Sequence, residues 1–202
     1  LYAYACEGSH AGNLTNSKLG FFDHRFENFM EVLLPELLTN MFVQAEGGAD
    51  AICLFDTAAG ELTLSDYKDF ALPKIKILTK EFKKKYPETK IIYYSKHTNL
   101  TYLQEIQDEN IDVLGIDWRV NLPDALNLLS QDYYIQGNLD PSYLHLPWEK
   151  LQTKLEFQWQ SLTNANVDFS KWISGLGHGV LQHTPEMNVK NTVKYIQENY
   201  IY

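Results

Sequence analysis

Six strings of chemistry-bearing residues each follow a short apolar run: Tyr4-Ala-Cys-Glu-Gly8, Phe55-Asp-Thr-Ala-Ala-Gly60, Tyr94-Ser-Lys-His97, Gly115-Ile-Asp-Trp-Arg119, Gln136-Gly-Asn-Leu-Asp-Pro141 and Gly175-Leu-Gly-His-Gly179. His178 stands between glycines that let backbone approach a ligand closely. An imidazole there can donate to a carboxylate or move a proton near neutral pH, although an ordinary tight turn would use the same residues. The hydroxyl of Thr57 can touch a ligand, but capping a turn is the commoner use of such a threonine. Tyr4 can donate to a ligand or simply pack. For Asp56, Lys96, Asp117 and Arg119, structural pairing where strands end is at least as common as ligand contact.

These residues are carried by a chain of 202 residues, 45% hydrophobic and 21% charged, a composition that folds rather than staying disordered. Its net charge of −9 has the wrong sign for a nucleic-acid binder. Lys80, Lys83, Lys84 and Lys85 fall where a helix should end, so they complement its dipole. No apolar run is long enough to cross a bilayer, which predicts no membrane partner and, with no basic-then-apolar leader, a cytoplasmic protein. Cys6 and Cys53 lack disulfide or zinc spacing and read as two buried thiols on strands. Arg25 and Arg119 are the only arginines, few for a chain that would handle a polyanion.

The elements that must position the six strings alternate between short apolar runs and segments of helical period, the pattern of parallel β/α construction. Residues 1–7 read as a buried strand already under way, which implies that Leu1 lies inside a larger domain. Later strands are predicted at 51–55, 91–94, 113–116, 133–135 and 172–173. Helices are predicted at 24–46, stopped by Gly47-Gly48, at 65–86 with a kink at Pro73, and at 100–109, 121–130, 147–163 and 186–199, the last capped by Thr184-Pro185. No Gly-rich dinucleotide fingerprint follows any strand. The fold class expected is α/β, an incomplete (β/α)8 barrel with about six of eight parallel strands, the missing two preceding Leu1. The six strings then stand at the C-terminal strand ends, where such a barrel builds its site.

The strings YxxEG, FDSxAG, a lysine after an apolar strand, GxDWR, QGNLDP and NLGHG, in this order, are landmarks of the uroporphyrinogen decarboxylases, and the chain resembles the C-terminal part of that family over essentially its whole length. The resemblance implies a TIM barrel, residues 1–202 forming the C-terminal part of one such domain, a homodimer, and a porphyrinogen substrate. The reaction implied converts the four acetate side chains of uroporphyrinogen III to methyls, giving coproporphyrinogen III for heme biosynthesis. No cofactor is implied, because the protonated pyrrole is its own electron sink and the enzyme supplies orientation and electrostatics. Tyr4 matches a tyrosine that supports the family's catalytic aspartate, Thr57 a serine that contacts substrate, and His178 a histidine lining the pocket. By that match Tyr4 and His178 are the catalytic candidates, and Tyr4, Thr57 and His178 the substrate-binding set.

Ala58 replaces a histidine or tryptophan of some members, Gly175 the asparagine of NLGHG, and His97-Thr98 the usual glycine near the lysine. The family's GRQAGRY-type arginines and FSDI-type aspartate occur nowhere in these 202 residues, so the segment by itself is expected to be inactive. Two rival readings remain open. A zinc-dependent cobalamin or thiol methyltransferase of the same superfamily would need a His-x-Cys pair, whereas His97 is followed two residues later by Asn99. The other is a non-catalytic barrel remnant acting as an interaction module.

Overall fold

The computed structural model describes residues 1–9 and 11–200. They form two compact units, Leu1–Leu114 and Gly115–Tyr202, each alternating strands with helices.

The first unit opens on α1 (Tyr2–Glu7), not on a strand. Ala5 N–H donates to Leu1 O and Gly8 N–H to Tyr4 O, both at 2.9 Å, which closes helical turns at the two ends. An apolar, aromatic stretch this short fits either secondary structure, and tertiary packing decides. A helix puts Tyr2 and Cys6 on one face, four residues apart. That face meets α2 (Thr15–Leu19) and α3 (Arg25–Glu46), where Tyr2, Phe26 and Met30 form a buried cluster that Cys6, Phe21 and Phe29 flank. The Tyr2 ring lies 5.0 Å from Phe26 and 5.5 Å from Phe29. Pro35 sits inside α3 without ending it.

Strand β1 (Ala51–Asp56) pairs in parallel with β2 (Lys90–Ser95), in register from Ala51 with Lys90 to Asp56 with Ser95. Their crossover is less regular than predicted. A short α4 (Leu64–Asp66), capped by Thr63, runs into a π-type stretch over Tyr67–Ala71 before α5 (Leu72–Lys85). Pro73 falls in the first turn of α5, directly after the π-type stretch. Asn99 caps α6 (Leu100–Gln104), which stops short of the predicted residue 109. Asp112 ties α5 to β2 and the start of β3 (Val113–Gly115): it takes Lys83 Nζ at 2.8 Å and the Ile91 amide at 2.8 Å. Burial pushes the Asp112 carboxyl up, but those two bonds together with the charges of Lys83 and Lys90 outweigh it and hold the group below the usual carboxylate range. Cys53 lies on β1 but is exposed, and Cys6 is half-buried on α1, so the expectation of two buried strand thiols fails.

In the second unit, the end of β3 is followed by α7 (Leu122–Leu129), which Asn121 caps through the Asp124 amide. Strand β4 (Tyr134–Gln136) pairs in parallel with β5 (Trp172–Ile173) across α8 (Trp148–Asn164). Helix α9 (Glu186–Asn199) spans the predicted range, but Thr184 does not cap it. Its hydroxyl donates to Leu181 O instead, and the Pro185 carbonyl accepts the first helical bonds. The strand order follows the chain, β1-β2-β3-β4-β5. The described residues thus hold five strands where six were expected, the difference being α1. No helix among them is long and apolar enough to cross a membrane.

Candidate functional site

In the first unit, Thr57 occupies the turn between β1 and the 3-10 turn Ala59–Glu61. The turn is braced from both sides. Lys96 N–H donates to Asp56 O and Gly60 N–H to Lys96 O, each at 3.0 Å, so the ends of β1 and β2 close on each other. A Cβ at Gly60 would lie 2.5 Å from the His97 backbone carbon, so only glycine admits this approach. His97 itself has φ 63 and pairs through Nδ1 with Glu61 Oε1 at 3.3 Å.

Asp56 is half-buried beside this turn. It accepts the hydroxyl of Tyr93 at 3.2 Å, and Tyr93 in turn meets the Tyr67 hydroxyl at 3.0 Å. Burial pushes the Asp56 carboxyl up, and the hydrogen bonds only partly oppose it. Burial raises both phenols as well, so the chain Asp56–Tyr93–Tyr67 favours its protonated forms. A cleft of about 320 Å³ adjoins it, lined by Asp56, Ala58 and Tyr93 together with Phe26, Met30 and Leu34 of α3. Tyr2 and Ala3 also line the cleft, whereas Tyr4 stands on the other side of α1 with 58% of its surface exposed. Neither Tyr4 nor Thr57 is part of the cleft wall.

The second unit holds His178, half-buried, with its Nδ1 3.4 Å from Gly179 O. Its ring stands edge-on to Trp118 at 6.1 Å between centroids. Gly177 makes that approach possible, because a Cβ there would lie 2.4 Å from the Trp118 amide nitrogen. The guanidinium of Arg119 stacks 4.3 Å from the centre of the same Trp118 ring. Buried Asp117 anchors it: Nη1 reaches both carboxylate oxygens at 2.9 and 2.8 Å, and the Arg119 amide reaches Oδ1 at 2.9 Å. The turn is braced in turn by Asn138, whose Nδ2 donates to Asp117 O at 3.1 Å and Val120 O at 2.6 Å. The Gly137–Asn138 peptide is cis, and Trp172 Nε1 donates to Gly137 O at 2.6 Å.

Each unit therefore gathers more than the sequence reading singled out. Asp117 and Arg119 do make the structural pair weighed for them, and the same pair holds a guanidinium on the Trp118 ring that His178 meets edge-on. The Asp56–Tyr93–Tyr67 chain was not foreseen, since nothing in the spacing of 56, 67 and 93 announces that three hydroxyl or carboxyl groups meet. Asn138 belonged to a conspicuous string, but its bracing of the Asp117 turn depends on a pairing across 21 residues.

A family model described as Uroporphyrinogen decarboxylase (URO-D) matches residues 1–199. Proteins named uroporphyrinogen decarboxylase are similar throughout: that of Chlorobium phaeobacteroides is 32% identical over 205 residues, covering 98% of this chain and 56% of the relative. That of Chlorobium luteolum is 33% identical over 202 residues with the same coverage. The protein from Koribacter versatilis is 32% identical over 200 residues, covering 98% of this chain and 55% of the relative. The chain thus spans little more than half the length of these relatives. With a match over nearly every residue and polar groups gathered where strands end in both units, the chain belongs to the uroporphyrinogen decarboxylase family.

Proposed function

We propose that this chain is part of a carboxy-lyase that converts uroporphyrinogen III to coproporphyrinogen III, in the cytoplasm and as a homodimer, with residues 1–202 forming the C-terminal part of a single (β/α)8 barrel domain. The observation that carries the reading is the family match across residues 1–199.

In each of four turns, one acetate arm loses carbon dioxide and gains a proton. Protonation of the pyrrole α-carbon next to the carbon that bears the arm makes the ring cationic and conjugates the arm-bearing carbon with an iminium. The bond from the arm's methylene to its carboxylate then breaks, its electron pair flows into the ring, and a proton delivered to the methylene gives the methyl group. The ring proton is lost at the end, so the net change is one proton taken up and one carbon dioxide released. No cofactor is needed, because the ring itself accepts the electrons. The protein's task is to hold the macrocycle, to exclude water and to place proton donors.

Thr57 is assigned a hydroxyl contact to substrate, supported by its place on a turn braced at both ends. His178 is assigned a carboxylate contact or a proton transfer, and its contact with the indole on which Arg119 also stacks supports this. Tyr4 is assigned the support of a catalytic aspartate contributed by an FSDI-type segment. Neither that segment nor the GRQAGRY-type arginines occur in these 202 residues. The segment alone is therefore expected not to turn over.

Genetic complementation tests the reading. A strain lacking uroporphyrinogen decarboxylase, supplied with the protein carrying this sequence, should regain heme-dependent growth, and His178→Ala should abolish or severely slow it. Failure of the soluble, expressed wild-type protein to restore growth would count against the assignment.

A further inference from the structure

The sequence holds two arginines, and the structure uses them differently. Arg25 lies on the surface, with its guanidinium bound by Asp23 through Nε and Nη2. Arg119 is held from below and behind. Asp117, buried at 0% side-chain exposure, takes only Nη1, and the guanidinium plane stacks on Trp118. Its Nε and Nη2 donors have no partner among the described residues, while the side chain remains 50% exposed. A planar fork fixed on one nitrogen and on one face, with an adjacent pair of donors unused, is preorganised for a carboxylate. His178 meets the same indole at 6.1 Å, and its Nε2 likewise has no partner among the described residues. The glycine contact that brings His178 to Trp118 would be lost with any side chain at position 177.

We infer that Arg119 and His178, held together on the Trp118 ring, form a receptor for one carboxylate arm of the substrate. Arg119 supplies the Nε and Nη2 fork and His178 a further donor. That the arm belongs to a porphyrinogen rests on the proposed decarboxylase function; that the pair receives a carboxylate rests on the geometry alone. The Asp117 partner does not cancel the site. It orients the guanidinium and leaves the outer donors to the ligand, whereas a lysine in the same place would have neither the stack nor the fork.

The test uses the protein carrying this sequence and two probes: uroporphyrin, which presents eight carboxylates on a macrocycle, and benzenehexacarboxylate, which presents carboxylates without one. Calorimetric titration should show both binding, with Arg119→Gln weakening each roughly tenfold or more and Arg119→Lys failing to restore it. The NMR resonance of the Arg119 Nε–H should shift on addition of either probe, a readout that needs no variant and survives a variant that fails to fold. A purely structural Arg119 would instead lower thermal stability in the variants and leave the affinity of the folded protein and the Nε–H resonance unchanged. If uroporphyrin binds while the resonance stays still and Arg119→Gln binds equally well, the receptor is refuted and the decarboxylase reading stands. If only benzenehexacarboxylate binds and shifts the resonance, the receptor stands and the decarboxylase reading falls. If neither probe binds, the receptor is refuted with it.

Discussion

Asp56 shows how one side chain can be both conspicuous and unread. It lies next to Thr57, yet its carboxyl turns away to accept the Tyr93 hydroxyl. Because burial raises its pKa in the folded protein, the native state binds a proton more tightly there than the unfolded chain does. Stability from this group is therefore fully present below the unfolded value, about 4, and declines as the pH rises through the raised folded value. Asp56→Asn keeps an acceptor oxygen and removes the charge. Thermal unfolding should show the variant gaining on the wild type as the pH is raised from about 4 to 7. A stability difference that stays flat over that range would mean that the carboxyl does not carry the shift described. The same residues mark where sequence reading stops: Thr57 and His178 could be singled out one at a time, but the meeting of Asp56 with Tyr93 and Tyr67, and of Arg119 with His178 on Trp118, exists only in the folded chain.

Among the elements, strands β1, β2, β3, β4 and β5 and the long helices α3, α8 and α9 were legible because each carries an extended apolar pattern of a single period. Residues 1–7 were not. The five residues Tyr2 to Cys6, all tyrosine, alanine or cysteine, satisfy a buried strand as well as a helix, and only the aromatic cluster of Phe21, Phe26 and Phe29 selects the helix. The sequence predicts one helix over 65–86 kinked at Pro73; the irregularity is a π-type stretch at Tyr67–Ala71, ahead of Pro73. That stretch carries Tyr67, which is wholly buried against Tyr93, so an element that looked like plain helix helps build the Asp56 network. The closeness of two strand ends also makes a prediction at this scale. Gly60→Ala would place a methyl within 2.6 Å of the His97 backbone, and the turn that carries Thr57 would have to move. We expect a loss of about 1–3 kcal/mol in unfolding free energy, with amide exchange quickening at Ala58 through Glu61. Unchanged exchange in that turn would show that β1 and β2 do not clamp it.

At the scale of the whole molecule, the order of the six strings points to the family, and the family match over residues 1–199 agrees. The strings are legible because each needs only a few adjacent residues. The strand total was not, because one of the six expected strands is α1 and the chain covers only about 56% of the length of its relatives. Function belongs to this scale as well, since the proposed chemistry calls on Thr57, on His178, and on an aspartate and arginines of the FSDI and GRQAGRY types. The most direct test is to count carbon dioxide. With uroporphyrinogen III labelled with carbon-13 in its acetate carboxyls, a protein joining this sequence to such segments should release four equivalents of labelled carbon dioxide in successive steps and yield coproporphyrinogen III, while the 202 residues alone release none. No labelled carbon dioxide from the joined, folded protein would contradict the account.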